Sequence, residues 1–172
     1  GRLHADFIQA GTTTGRFSSN NPNLQNIPIK SELGRAIRGG FVAEKGWKLC
    51  SFDYSQMELR LAAIFSQDPN LIEIFRKGDD VHTAVASRVF KVSMTEVTKE
   101  MRRHAKVINF GILYGMGVNS LKKNLGGTQK EAAEFYDNYF DEFKNFKNYL
   151  EDTKEFARKH GYTETLFGRR RY

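Results

Sequence analysis

Arg102, Lys106 and Phe110 are spaced four residues apart, so on a helix they share one face. They lie in Arg102-Arg103-His104-Ala105-Lys106-Val107-Ile108-Asn109-Phe110-Gly111-Ile112-Leu113-Tyr114-Gly115. Fixed positive charge suits a polyphosphate, and a flat ring suits a base. Tyr114 stands at the end of that helix and Gly115 where a C′ glycine would stop it. The plainer reading of the same periodicity is an amphipathic helix with a solvated basic side and a core ring.

A second segment offers complementary chemistry. Lys48-Leu49-Cys50-Ser51-Phe52-Asp53 reads as a short apolar strand ending in a carboxylate, and Tyr54-Ser55-Gln56-Met57-Glu58-Leu59-Arg60 starts a helix. Magnesium takes one or two carboxylates together with substrate phosphates, so Asp53 suits a hard-metal site. The competing reading makes Asp53 a helix cap. Ser55-Gln56-Met57-Glu58 also fits a capping box. His82, taken alone, reads as an ordinary helix-surface histidine.

Taken together, these segments resemble a known family. Asp53 to Arg60 is similar to motif A of the family A (DNA polymerase I-like) DNA polymerases, and Arg102 to Gly115 to their motif B. Thr14-Gly15-Arg16-Phe17-Ser18-Ser19 with Pro22-Asn23-Leu24-Gln25-Asn26-Ile27-Pro28 resembles the primer-template segment. Asp80-Val81-His82-Thr83 resembles the start of the fingers, and Glu164-Thr165-Leu166-Phe167-Gly168-Arg169-Arg170-Arg171-Tyr172 the segment after them.

The resemblance implies roles. Asp53, with the Tyr54 carbonyl, would hold two Mg²⁺ ions. Arg102, Lys106 and His82 would grip the triphosphate of a deoxynucleoside triphosphate, and Lys106 would also protonate the leaving pyrophosphate. Phe110 would pack on the incoming sugar and base, and Tyr114 would exchange stacking partners with the templating base. Glu58, with Tyr114, would crowd the sugar 2′ position, and Gln56 joins the substrate site. Arg16, Asn23, Gln25 and Asn26 would contact primer-template DNA. Arg103 is either a neighbour of the phosphate site or a salt-bridge partner. Lys30, Arg35, Arg38, Arg60, Lys122 and Lys123 read as solvated charges ahead of phosphate contacts.

The bulk properties agree with a polyanionic partner. The 172 residues carry a formal net charge of +7, and the pI near 9.5 favours nucleic acid over a membrane surface. Aromatic residues make up 13% of the chain, enough for a real core. Cys50 is the one cysteine, so it forms no internal disulfide, and its apolar setting predicts a buried, inert thiol. No run is long enough for a transmembrane helix.

The elements follow from pattern. Leu3 to Ile8 alternates as a strand, and Gly11 to Ile29 reads as a long loop packed by Phe17, Leu24 and Ile27. A short helical turn near Glu32 to Ile37 leads to a strand at Gly40 to Ala43, paired with Lys48 to Asp53. From Gln56 the pattern turns helical, with helices around Leu59 to Phe65, Leu71 to Phe75, Val81 to Phe90 and Thr95 to Tyr114. Ser93-Met94-Thr95-Glu96 and Thr128-Gln129-Lys130-Glu131 fit the capping box. The second opens one long helix, closed at Gly161, with Ala132, Phe135, Tyr139, Phe143, Phe146 and Leu150 as a core stripe. Tyr162 to Phe167 returns as a strand.

The expected fold is α+β: mostly helical fingers with part of an antiparallel-sheet palm, an incomplete right-hand polymerase. Residues 1–60 read as partial palm with motif A, 61–160 as fingers with motif B, and 161–172 as the return to the palm. The family's second metal carboxylate would lie beyond Tyr172 and its thumb helices before Gly1. The chain therefore reads as an internal fragment, inactive alone and not expected to oligomerise. The parent is expected in the cytoplasm at the nucleoid or in a viral replication machinery, with an organelle as a further setting. One rival is a non-catalytic nucleic-acid-binding module, which would need neither Asp53 nor Lys106. Another is a single-subunit RNA polymerase, against which Glu58 and the Phe110-to-Tyr114 spacing argue.

Overall fold

Helices dominate the computed structural model, which describes residues 1–29 and 31–172. Lys30, read above as a surface charge, lies outside the described residues. The chain divides into two compact units: residues 1–53 with 162–172, and residues 54–161.

The first unit is small and open. Strand β1 (Asp6–Ile8) pairs antiparallel with β2 (Ser18–Asn20), with Phe7 opposite Ser19. Helix α1 (Glu32–Gly39) is capped by Ser31, whose side chain accepts from the Gly34 N–H. Gly34 must be glycine for packing, because a Cβ there would lie 2.7 Å from the Pro28 carbonyl oxygen. A short hairpin closes the unit at the other end of the chain, with β3 (Thr163–Glu164) antiparallel to β4 (Arg170–Arg171).

Three expectations fail in this unit. The Gly40–Ala43 and Lys48–Asp53 strands do not form; a turn with Trp47 N–H donating to the Glu44 carbonyl is all that remains of their hairpin. Among the described residues no third strand pairs with them, and a two-stranded ribbon is marginal on its own. Their apolar side chains stay in solvent, Phe52 at 94% exposure and Trp47 at 74%. Cys50 is exposed for the same reason, not buried as its apolar neighbours predict. The Gly11 to Ile29 loop also carries a strand, β2, that its turn-rich composition concealed.

The second unit holds the hydrophobic core. Its helices are α2 (Met57–Ser66), α3 (Pro69–Lys77), α4 (Val81–Phe90), α5 (Lys99–Leu113), α6 (Val118–Leu125), α7 (Gln129–Glu142) and α8 (Lys144–His160). Leu59, Leu71, Val85, Ile108, Leu121, Tyr139, Phe143 and Phe146 are buried together at their crossing. The α4–α5 pair has the most extensive contact of all. Helix α6, which the sequence reading does not single out, packs beneath α5 and α7.

The long helix expected from Thr128 to Gly161 is two helices, broken at Phe143 with φ −115° and ψ 61°. The stripe is buried as periodicity predicts, but the chain bends where a partner caps it. Asp68 is 1% exposed and caps two helices at once. Its Oδ1 accepts from the N–H groups of Asn70 and Leu71 at the start of α3. Its Oδ2 accepts from those of Asn145 and Phe146 at the start of α8. Four N–H donors that a helix start leaves unpaired are satisfied by one carboxylate.

Candidate nucleotide-binding site

The site is organised by α5. Thr98 starts the helix, its side chain accepting from the Met101 N–H at 3.2 Å. The far end closes as the Gly115 position predicts: Gly115 has φ 76°, its N–H donates to Ile112, and Met116 N–H donates back to Gly111. Gly111 has a packing reason as well, since a Cβ would come 2.5 Å from Met116 Sδ. Ala105, Ile108, Asn109 and Ile112 turn inward, while Arg102 and Lys106 stay exposed. Phe110 is half-buried and Tyr114 exposed.

Helix α4 supplies the neighbouring wall. Asp80 caps it, accepting at Oδ2 from both the N–H (2.9 Å) and the hydroxyl (2.7 Å) of Thr83. That cap fixes the first turn and with it His82. His82 is 4% exposed, not the surface histidine that base rates suggest. Its ring lies 5.6 Å from the Phe110 ring, centroid to centroid. Its Nδ1 lies 3.1 Å from the Asn109 side-chain nitrogen. An amide nitrogen only donates, so Nδ1 accepts and the neutral ring carries its proton on Nε2. Burial lowers the His82 pKa, and the Arg102 and Lys106 charges push the same way against the pull of Asp80. The ring is therefore neutral at pH 7 and a donor from Nε2.

Arg102 is not loose in solvent. Its Nε donates to Asp80 Oδ2 at 2.9 Å and its Nη2 to Oδ1 at 2.8 Å, a two-pronged pairing. Burial raises the Asp80 carboxyl, but the bonds from Arg102 and Thr83 outweigh it and hold the group well below the usual carboxylate range. The Asp80 bond in turn raises the Arg102 pKa. Arg103 pairs weakly with Glu100 at 3.5 Å, the salt-bridge alternative of its two readings.

Two hollows flank α5. One, of about 560 Å³, is lined by Lys106, Phe110 and Tyr114 with Arg103, Ser120 and Asn124. The other, of about 490 Å³, has both Glu58 and Tyr114 in its lining. Helix α2 starts one residue later than the capping box predicts. Gln56 is its N-cap, left-handed at φ 58° and without a side-chain cap bond, so the Ser55-to-Glu58 box does not form. The Gln56 Oε1 is buried with no partner among the described residues.

His82, Arg102, Lys106 and Phe110 thus sit on adjoining surfaces of α4 and α5, with Tyr114 and Glu58 on the hollow at the α5 end. Asp80 and Asn109 belong to the same group, and the sequence reading does not select either. In sequence Asp80 appears only within the Asp80-to-Thr83 segment, and Asn109 only within the Arg102-to-Gly115 segment. Their pairing with residues 22 and 27 positions away has no local signal.

The remaining candidates lie in the first unit or at its edge. Asp53 is exposed, as is Tyr54. Among the described residues no three His, Cys, Asp or Glu side chains come together in a metal-binding group. Asp53 therefore belongs to no such group among the described residues. Asn23 Oδ1 accepts from the Gln25 N–H, and Gln25 Nε2 donates to the Phe17 carbonyl. These bonds fold the loop that displays Arg16, Asn23 and Asn26, all exposed. Arg169 lies on Gly15, where a Cβ would come 2.6 Å from the guanidinium carbon, and Gly15 has φ 78°.

All of the chain, residues 1–172, matches the profile of DNA polymerase family A, and the chain belongs to that family. Its relatives include DNA polymerase I of Chloroflexus aurantiacus, 51% identical over 171 residues, covering 99% of this chain and 18% of the relative. The thermostable DNA polymerase I of Thermus aquaticus is 51% identical over 172 residues, covering 100% of this chain and 21% of the relative. The fold matches a solved structure of the POL domain of Pol1 from M. smegmatis in complex with DNA primer-template and dNTP. That match has a TM-score of 0.88 and 46% identity, and covers 100% of this chain and 30% of the other. The chain spans about a fifth of the length of the curated relatives it matches. No helix of the described residues is long and apolar enough to cross a membrane.

Proposed function

We propose that this chain is the nucleotide-gripping part of a DNA-directed DNA polymerase, with residues 1–60 as part of the palm, 61–160 as fingers and 161–172 as the return to the palm. The whole protein would add deoxynucleoside triphosphates to a primer 3′ end. The primer 3′-oxygen bonds to the α-phosphorus, the bond to the β-phosphate oxygen breaks, and pyrophosphate leaves. The observation that carries this reading is the adjoining surface of α4 and α5, where His82, Arg102, Lys106 and Phe110 converge.

Each group has a role on that surface. Arg102 and Lys106 neutralise the triphosphate, His82 donates from Nε2, and Lys106 gives its proton to the leaving pyrophosphate. Phe110 offers its ring to the sugar and base, and Tyr114 exchanges with the templating base. Glu58 and Tyr114, which both line one hollow, crowd the 2′ position and favour deoxyribose, and Gln56 joins the substrate site. Arg16, Asn23, Gln25 and Asn26 track the primer-template duplex. Magnesium, once bound, would activate the primer oxygen and steady the pyrophosphate; Asp53, with the Tyr54 carbonyl, is this chain's contribution to holding it.

A bacterial cytoplasm, at the nucleoid, is the setting that the bacterial relatives favour. The test is primer extension by the full-length protein. Asp53→Asn should slow incorporation by about 10²–10³-fold, with primer-template affinity held within a few-fold because phosphate contacts dominate it. Incorporation at more than about a tenth of the normal rate would remove Asp53 from the chemistry.

A further inference from the structure

Asp80 does more in this structure than start a helix. Its carboxylate accepts from four donor atoms: the N–H and hydroxyl of Thr83 on α4, and the Nε and Nη2 of Arg102 on α5. The first pair makes it rigid with respect to α4, and the second fixes the guanidinium plane. We propose that Asp80 is a positioning residue for nucleotide binding, holding Arg102 in one orientation so that its remaining N–H groups face the triphosphate.

The reasoning is geometric. A guanidinium carries five N–H donors in a planar fork, and Asp80 engages the edge formed by Nε and Nη2. The Nη1 donors lie off that edge and are left for another acceptor. Without Asp80, the arginine side chain would sample many rotamers and would also be repelled by Arg103 and Lys106, which follow it on α5. A ligand that met such an arginine would have to order it first, at a cost in affinity. With Asp80 in place that ordering is already done.

The same carboxylate holds the α4 first turn, which carries His82. Two residues of the nucleotide surface, on two helices, therefore share one anchor. An anion beside a phosphate-binding cation also subtracts charge. Here the pair is partly solvent-exposed, with side-chain exposures of 45% and 40%, so water screens that opposing effect. Orientation is the larger contribution.

This inference rests on the reading of Arg102 as a triphosphate ligand, and the test separates the two. Asp80→Asn keeps a good cap, since Asn serves that position as well as Asp, but removes the charge and one of the two acceptors. Asp80→Asn, Arg102→Ala and the double variant are compared in the full-length protein by steady-state single-nucleotide extension, with primer-template affinity measured alongside. Asp80→Asn should raise the KM for the correct deoxynucleotide about tenfold, with kcat changed less than threefold and duplex affinity within twofold. In the Arg102→Ala background the same substitution should add less than twofold, because Asp80 acts through the arginine. Asp80→Glu, which restores both charge and acceptors, should recover part of the KM.

An unchanged or lowered KM for Asp80→Asn would overturn the proposal, a lowered one by making Asp80 a competitor of phosphate. A tenfold loss that persists without Arg102 would overturn it too, by making Asp80 a helix cap alone. If Arg102→Ala itself leaves the KM unmoved, the failure lies with the reading of Arg102.

Discussion

The Nδ1 of His82 is a hydrogen-bond acceptor because the side-chain nitrogen of Asn109, buried on the next helix, stands 3.1 Å from it. This one bond decides which ring nitrogen can serve a phosphate. A neutral imidazole whose Nδ1 accepts is a donor at Nε2. The cost is visible at Asn109, whose Oδ1 is buried with no partner among the described residues.

Asn109→Leu tests that relation. Leucine removes the orphan Oδ1 but leaves His82 Nδ1 unpaired, so one buried unsatisfied acceptor replaces another. Stability should change by less than about 1 kcal/mol, read by chemical denaturation. The KM for deoxynucleotide should rise several-fold, because the ring is free to take the other tautomer. A large stability loss with an unchanged KM would make Asn109 a core residue only.

Asp68 carries the opposite kind of prediction, stability without chemistry. Asp68→Ala strips the caps from both α3 and α8, four N–H groups in all. Two lost caps should cost about 2–4 kcal/mol. Asp68→Asn keeps one acceptor oxygen, so it should lose about half as much. Denaturation midpoints of the three proteins check the order Asp, Asn, Ala.

Sugar selection is the third. Glu58 and Tyr114 both line one hollow, so shortening Glu58 to Ala opens space where a 2′-hydroxyl would sit. Competition between ribo- and deoxyribonucleotides should shift toward the ribonucleotide by an order of magnitude or more. An unchanged ratio would take Glu58 out of the sugar pocket.

Much of the helical unit was legible because its signals are local. Val81 to Phe90 was read to the residue, both threonine- and serine-led capping boxes away from Glu58 formed, and Gly115 ended α5 as placed. What the sequence concealed was non-local. The break at Phe143 depends on a carboxylate 75 positions earlier, and the apolar stripe runs through it unbroken. The strands at Gly40 and Lys48 fail because an apolar run predicts a surface to bury, not a partner to bury it against. Residue type and spacing point to Arg102 and Lys106 but pass over Asp80 and Asn109, whose importance lies only in what they touch.

The central claim is that one face of α5 holds the triphosphate, and equilibrium binding without chemistry tests it most directly. A primer ended by a 3′-deoxynucleotide is bound to the full-length protein, and the correct deoxynucleoside triphosphate is titrated in. Lys106→Ala should weaken the nucleotide Kd at least tenfold, about 1.4 kcal/mol, while the Kd for the duplex stays within twofold. A nucleotide Kd unchanged by that substitution would contradict the account, and return α5 to an ordinary amphipathic helix with a solvated basic side.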